Sequence, residues 1–176
     1  MTDTTTHIEY LSAKAHHDFV SLMSGSNCMC TAYLTDDYEN KGRACREAMF
    51  ARGQHDGYLL YVEGQVAGWC QCAPLSQGLR LPKDFLAEGV WGLTCMVMAP
   101  AFRGRGLATT FLKAILDDLP GRGCTRVIAV GHNPATYDDP SSFMELPDAV
   151  CIRVGMKILR THAYGSYHVH EYSRGG

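Results

Sequence analysis

Two arginines alternate with two glycines in a turn between an apolar run and an amphipathic segment. The stretch MVMAPAFRGRGLATTFLKAIL, residues 96–116, contains this turn as Arg103-Gly104-Arg105-Gly106. The first amides of a helix have no partner within the helix, and the helix dipole adds positive charge at the same end. Glycines let amides approach an anion, and arginines add charge-assisted hydrogen bonds. The turn is therefore predicted to hold a phosphate or pyrophosphate, although a solvated helix entry would use the same residues.

The commoner phosphate-binding patterns do not fit this turn. A P-loop requires Gly-x-x-x-x-Gly-Lys-Ser/Thr, and the sequence contains no such string. A dinucleotide fingerprint requires a third glycine where Thr109 stands, and an acidic residue after the next strand, where the sequence is IAVGHN. The residues of the turn alone leave open which anion it binds.

Potential metal ligands occur in pairs spaced two residues apart. The pairs are Cys28 and Cys30, Cys70 and Cys72, and His168 and His170. In a strand this spacing places both side chains on one face. Structural zinc sites favour Cys-x2–4-Cys instead, because a tight turn then brings two thiolates to one ion. We therefore expect core thiols and no metal, with a zinc-stabilised interaction domain as the alternative.

Hydrophobic periodicity places the turn within an alternating α/β chain. Residues 57–74 indicate two strands joined at Glu63-Gly64, and residues 90–98 indicate a strand buried on both faces. Residues 107–119 have the period of a helix, which ends at Pro120-Gly121. Together with the shorter patterns below, they predict the order β-α-α-β-β-β-α-β-α-β-β around a mixed sheet.

The remaining elements rest on shorter patterns. Near the N-terminus we expect a strand over 8–11, a helix over 13–23, and a second helix between a cap at Asp36 or Asp37 and a stop at Gly53. Further strands are expected over 125–130, 156–161 and 167–172. A short helix is expected between Pro147, in its first turn, and Gly155.

Length and composition indicate one folded domain over residues 1–176. Hydrophobic residues make up 46% and charged residues 19%, which excludes a disordered chain. A net charge of −2 argues against nucleic acid as a partner. The N-terminus lacks the features of a secretory signal, and no apolar run approaches the roughly 20 residues of a membrane span. These observations predict a cytoplasmic protein with no membrane partner, in which the eight cysteines are reduced.

In its context the turn resembles the acyl-CoA-binding motif of the GNAT N-acyltransferase superfamily. The motif Gln/Arg-x-x-Gly-x-Gly/Ala is matched by Arg103, Gly106 and Ala108, between an apolar strand and a helix. The hairpin at Glu63-Gly64 also resembles the family pattern, and the similarity covers roughly residues 57–131. The resemblance implies the α/β (α+β) GNAT fold, in which helices flank a mixed and mostly antiparallel sheet.

The resemblance further implies acetyl-CoA as the acyl donor of an N-acetyltransferase. The acceptor would be an amine of a small molecule or peptide, which attacks the thioester directly in a ternary complex, and a homodimer is a frequent assembly in the family. A backbone amide near Val97 or Met98 would stabilise the oxyanion. The implied cofactor-binding residues are Met96, Val97, Met98, Arg103, Gly104, Arg105, Gly106, Leu107, Ala108 and Asn133.

The family's catalytic positions carry other residues in this sequence. The usual Glu or His base would stand at position 92 or 94, which hold Gly92 and Thr94, and the usual Tyr acid is replaced by Cys151. Cys151 is therefore the candidate acid, and Glu88, just before the strand, is a candidate base that would act through water. Two functions stay open: an N-acetyltransferase, and a non-catalytic acyl-CoA-binding or sensing module.

Overall fold

The computed structural model describes residues 5–25, 29–31, 42–77, 81, 83–132, 146–161 and 167–173. The strands are β1 (Thr6–Tyr10), β2 (Gly57–Val62), β3 (Gln65–Pro74), β4 (Val90–Met98), β5 (Arg126–His132), β6 (Leu146–Pro147), β7 (Lys157–Thr161) and β8 (Tyr167–Ser173). The helices are α1 (His16–Leu22), α2 (Arg43–Ala51), α3 (Leu107–Asp118) and α4 (Asp148–Arg153).

The strands form one mixed sheet in the order β1-β2-β3-β4-β5-β8-β7, with β6 paired to β5 outside this path. Strand β5 pairs in parallel with β4 over its first residues and with β6 at its end. The other strand pairs are antiparallel. This confirms the predicted α/β class with a mixed, mostly antiparallel sheet flanked by helices.

Apolar clusters cover both faces of the sheet. Alternate residues of β2 enter different clusters: Tyr58, Leu60 and Val62 pack with α3 and α4, whereas Leu59 and Tyr61 pack with α1. The same alternation in β4 sends Met96 to the α3 face and Cys95 to the α1 face. Strands buried on both faces explain why these segments have nearly continuous apolar sequences.

The element boundaries differ from the predicted ones by a few residues. The first helix begins with a 3-10 turn at Ala13–Ala15, and the last begins at Asp148, because Pro147 pairs as part of β6 instead. The predicted caps Asp36 and Asp37 lie outside the described residues. In the described part of the chain, α2 begins at Arg43 after Gly42. Strand β6, two residues long, was not predicted, since a pair of residues has no periodicity.

None of the helices in the described part of the chain is long and apolar enough to cross a membrane.

Candidate active site

The Arg/Gly turn opens α3 as its sequence predicts. Gly104 and Gly106 have φ values of 71° and 75°, in the left-handed region that favours glycine. Gly106 is the residue before the first helical position, and a Cβ added there would meet nothing within 4 Å. The space beside Gly106 is therefore open at the N-terminus of α3, the end of a helix at which anions bind.

The two arginines of the turn make different contacts. The Nε of Arg103 donates a hydrogen bond of 2.9 Å to the carbonyl oxygen of Met98, which ties the turn to the last residue of β4. The Arg105 guanidinium lies over the ring of Phe102, 5.6 Å from its centroid. Both arginines are exposed, so their remaining N–H groups can meet an anion at the turn.

Strand β4 separates from β5 halfway along its length. The two parallel strands pair only over 90–93 and 126–129. Beyond this point β5 pairs with β6 through residues 131–132, while β4 continues to Met98 along β3. Among the described residues, no strand pairs with 94–98 of β4 along the edge that faces β5. The two strands therefore diverge with β6 between them, and the space along 94–98 of β4, here called the gap, has the Arg/Gly turn at its end.

Two amides of β4 point into this gap. Successive residues of a strand direct their N–H and C=O groups to opposite edges. The amide of Ala99 donates to the carbonyl of Ala67 in β3, so the groups of Met98 and Met96 point away from β3. Val97 points to β3 by the same alternation. Of the two amides proposed as oxyanion donors from the sequence, only that of Met98 faces the gap.

A buried chain of polar side chains ends at the start of the gap. Thr94 occupies a bulge in β4, because Gln71 pairs with Cys95 and the next residue of β3 pairs with Leu93. The Thr94 hydroxyl donates to Gln71 Oε1 at 2.6 Å, and Gln71 Nε2 donates to Asp56 Oδ2 at 2.7 Å. The Thr94 hydroxyl, at a position where the resembling family usually has its base, is therefore hydrogen-bonded within the protein.

The far end of this chain is a fully buried arginine. Arg46 donates to Asp56 Oδ1 at 2.6 Å and to the carbonyl oxygens of Met29 and Cys30. Its guanidinium lies 5.0 Å from the centroid of the Phe19 ring. The sequence analysis missed this ion pair, since an arginine in an amphipathic helix normally lies on the solvent face and no local pattern links positions 46 and 56.

The candidate acid and base lie in different environments. Cys151 is fully buried in α4, within the cluster that joins α3 to the sheet. Burial, reinforced by the nearby carboxylate of Asp148, raises the pKa of the Cys151 thiol to about 12. Glu88 is exposed and precedes the first residue of β4, about 20 Å or more along the strand from Met96. The role of Glu88 as a base stays a prediction. Asn133, a predicted cofactor-binding residue, lies outside the described residues.

The cysteine and histidine pairs occupy different parts of the core. Cys70 and Cys72 are buried in the α3-face cluster, where burial raises the pKa of both thiols and favours the protonated form over the thiolate that metals bind. Cys28 lies outside the described residues. The two histidines of β8 face Asp148, the first residue of α4. The sequence identified the histidine pair but not the carboxylate, which is 20 residues from His168.

Known proteins are similar to this chain in sequence and in fold. The family model described as Acetyltransferase (GNAT) family matches residues 27–137. Curated proteins yield no match. Solved structures share the fold at low identity, and the three described next contain acetyl-CoA or coenzyme A.

The first is a GNAT family acetyltransferase from Brucella melitensis in complex with acetyl-CoA, at 16% identity and a TM-score of 0.53 over 98% of this chain and 90% of that chain. The second is the aminoglycoside acetyltransferase AAC(6')-Ib in complex with coenzyme A, at 15% identity and 0.58 over 97% and 95%. The third is the PaiA N-acetyltransferase from Thermoplasma acidophilum in complex with coenzyme A, at 12% and 0.58 over 97% and 99%. At these identities the structural likeness shows the fold.

Proposed function

Because the chain belongs to the GNAT acetyltransferase family, we propose that it is an acetyl-CoA-dependent N-acetyltransferase whose acceptor is an amine of a small molecule or peptide. The observation that carries this proposal is the gap between β4 and β5, which ends at a glycine turn and the first amides of α3. The pyrophosphate of the donor binds these amides, and Arg103 and Arg105 add charge.

The open edge of β4 binds the pantetheine arm. Residues 94–98 of an extended strand span about 16 Å at 3.3 Å per residue. Met96 and Met98 direct backbone groups into this space, and amide groups of the pantetheine arm pair with such groups as an added strand does. The Met98 carbonyl also accepts from Arg103, so the turn and the strand edge bind the donor as one unit.

In the proposed reaction the nitrogen of the acceptor amine attacks the thioester carbonyl carbon. A C–N bond forms, the carbonyl oxygen becomes an oxyanion, and the C–S bond then breaks to release the CoA thiolate. The Met98 amide donates to the oxyanion. The amine loses its proton to water, because Glu88 lies about 20 Å or more along the strand from Met96, and the thiolate takes up a proton. Binding both reactants in one gap replaces a bimolecular encounter and supplies much of the acceleration.

Cys151 is the proposed donor to the leaving thiolate. A thiol with a pKa of about 12 stays protonated at neutral pH, but it releases its proton less readily than an ordinary thiol with a pKa near 8.5. Cys151 therefore stabilises the thiolate chiefly by a hydrogen bond. We expect Cys151→Ala to lower kcat by at most about tenfold, the equivalent of about one hydrogen bond.

The measurement for this variant is steady-state kinetics with acetyl-CoA binding measured in parallel. Cys124→Ala, a partly buried thiol outside α4, is the matched control. Its kcat should equal that of the wild type. A loss above about 100-fold in Cys151→Ala alone would mean full proton transfer by Cys151 and would contradict the hydrogen-bond role.

The proposed function is tested by release of free CoA thiol from acetyl-CoA across a panel of acceptors. The panel contains small primary amines, aminoglycosides and peptides with free N-termini, and products are confirmed by mass spectrometry. Amine-dependent thiol release that yields an acetylated product is the expected result. Absence of acetyl-CoA binding by calorimetry would contradict both the enzyme and its alternative.

The alternative is a non-catalytic acyl-CoA-binding or sensing module on the same fold. It is favoured by the engaged hydroxyl of Thr94, which donates to Gln71 at the position where the family carries a base. Acetyl-CoA binding without thiol release for any acceptor in the panel would support this module over the enzyme.

A further inference from the structure

The C-terminal half of the chain contains a cluster of three metal-ligating side chains that acetyl transfer does not use. His168 and His170 lie two apart on β8, on the face that meets α4, and Asp148 is the first residue of α4. One oxygen of the Asp148 carboxylate contacts His168 Nδ1, and the other lies 2.7 Å from His170 Nε2. One donor atom from each residue lies within 4.8 Å of the other two.

We propose that Asp148, His168 and His170 form a binding site for a divalent transition metal of the zinc class. The proposal does not depend on the acetyltransferase function, and it departs from the expectation of no metal drawn from the cysteine and histidine spacing. Four observations on charge, space and ligand chemistry support it.

The first observation is the burial of an unbalanced negative charge. The side chain of Asp148 is 8% exposed and that of His170 is fully buried. In the described part of the chain, the two imidazoles are the only hydrogen-bond or ion-pair partners of this carboxylate, and neither lysine nor arginine approaches it. A buried carboxylate is stabilised by a nearby positive charge, which a divalent cation between these three side chains would supply.

The second observation is the orientation of the two imidazoles. The Nε2 of His170 lies 2.7 Å from Asp148 Oδ1, while its Nδ1 is buried and has no hydrogen-bond partner among the described residues. His168, which is 17% exposed, directs its Nδ1 to the other oxygen of the same carboxylate. Each ring therefore directs one nitrogen toward a common point, as two ligands of one ion do.

The third observation is the space that β5 leaves for the donors. A Cβ on Gly131 would lie 2.4 Å from His170 Nε2 and 2.5 Å from Asp148 Oδ1. The absent side chain is therefore what allows the two donor atoms to meet above the strand. Ligands of one tetrahedral zinc ion lie about 3.3 Å apart, between the 2.7 Å that separates His170 Nε2 from Asp148 Oδ1 and the 4.8 Å within which all three donor atoms lie.

The fourth observation is the ligand set. Two imidazole nitrogens and one carboxylate oxygen suit zinc, iron, cobalt or nickel, whereas magnesium and calcium require mostly oxygen ligands. Three protein ligands leave a fourth position for water, and the partly exposed edge of His168 provides an entry path. A bound ion would link the start of α4 to β8 and stabilise their contact.

The test uses the full chain, stripped with a chelator and titrated calorimetrically with Zn²⁺. We expect one ion per chain and an increase in Tm. Asp148→Asn and His168→Asn are each expected to weaken binding by more than about 100-fold, beyond what loss of an outer-shell partner causes. Circular dichroism and acetyl-CoA titration confirm that each variant is folded.

Two controls separate this site from other ligands in the chain. His16→Asn alters another histidine pair, in which His16 Nε2 lies 3.4 Å from His55 Nδ1, and should leave zinc binding unchanged. Co²⁺ spectra should show nitrogen and oxygen ligation without the charge-transfer bands of thiolates. Absence of stoichiometric zinc, zinc binding that persists unchanged in the two variants, or a thiolate spectrum would each overturn the proposal. If Asp148→Asn does not fold, His168→Asn, at the more exposed ligand, decides the result alone.

Discussion

Replacement of Gly106 with Asp is expected to weaken acetyl-CoA binding about 1,000-fold, whereas Asn at the same position should weaken it by no more than about tenfold. Asp and Asn have nearly the same shape, and both tolerate the left-handed backbone that Gly106 adopts, with φ of 75°. A Cβ at this position meets nothing within 4 Å, so neither side chain clashes with the protein. The two variants therefore differ mainly in one negative charge.

The size of the effect follows from charge repulsion at the helix N-terminus. A carboxylate about 4 Å from a phosphate charge is repelled by about 4 kcal/mol at an effective dielectric constant of 20. This energy corresponds to about 1,000-fold in Kd. The carboxylate would also take up the amides that the pyrophosphate needs.

Isothermal calorimetry with acetyl-CoA measures both variants against the wild type. Gly121→Asp, at an exposed and open position after α3, is a control for the added charge and should bind like the wild type. Equal affinities for the Asp and Asn variants at position 106 would show that the pyrophosphate lies elsewhere. The Arg/Gly turn would then be only a helix entry.

Replacement of Arg46 with Met is expected to lower the free energy of unfolding by about 3–5 kcal/mol. Arg46 is fully buried and pairs with Asp56, which is itself almost fully buried. Removal of the arginine leaves that carboxylate charged inside the protein and deprives the carbonyls of Met29 and Cys30 of a donor. A typical domain is stable by only 5–15 kcal/mol, so the variant would lose a large part of its stability.

Urea unfolding measures this effect, with Arg43→Met as the matched control. Arg43 lies one turn earlier on the same helix in an exposed pair with Glu47, at 3.7 Å, and its loss should change stability by less than about 1 kcal/mol. Addition of Asp56→Asn to Arg46→Met should recover part of the stability, because no buried charge remains. A loss below about 1 kcal/mol in Arg46→Met would contradict a coupled, buried ion pair.

The local elements around the Arg/Gly turn are encoded in the sequence. The glycine turn, the apolar strand before it and the helix after it are all encoded within residues 90–119, and the structure contains each of them. The hairpin at Glu63-Gly64 is equally local and joins β2 to β3. These predictions succeeded because hydrophobic period and glycine conformation depend on neighbours within a few positions in the chain.

The arrangement of these elements relative to one another depends on the assembled sheet. Separation of β4 from β5 depends on β6, a two-residue strand that takes the place of β4 beside residues 131–132. The alternation that turns the Met98 amide toward the gap is fixed by the register with β3. Register and strand order are properties of the assembled sheet, because any strand edge can pair with another until packing selects one arrangement.

Two polar clusters, Arg46 with Asp56 and Asp148 with the histidines of β8, also depend on tertiary structure. Arg46 and Asp56 belong to different elements, and Asp148 is 20 residues from His168, so no spacing rule connects the members of either cluster. His168 and His170 were visible as a pair because a strand places alternate residues on one face. Their carboxylate partner, Asp148, was identified only from the structure, in which α4 places it beside β8. The partners of a buried polar group are its neighbours in space, which spacing in the sequence does not specify.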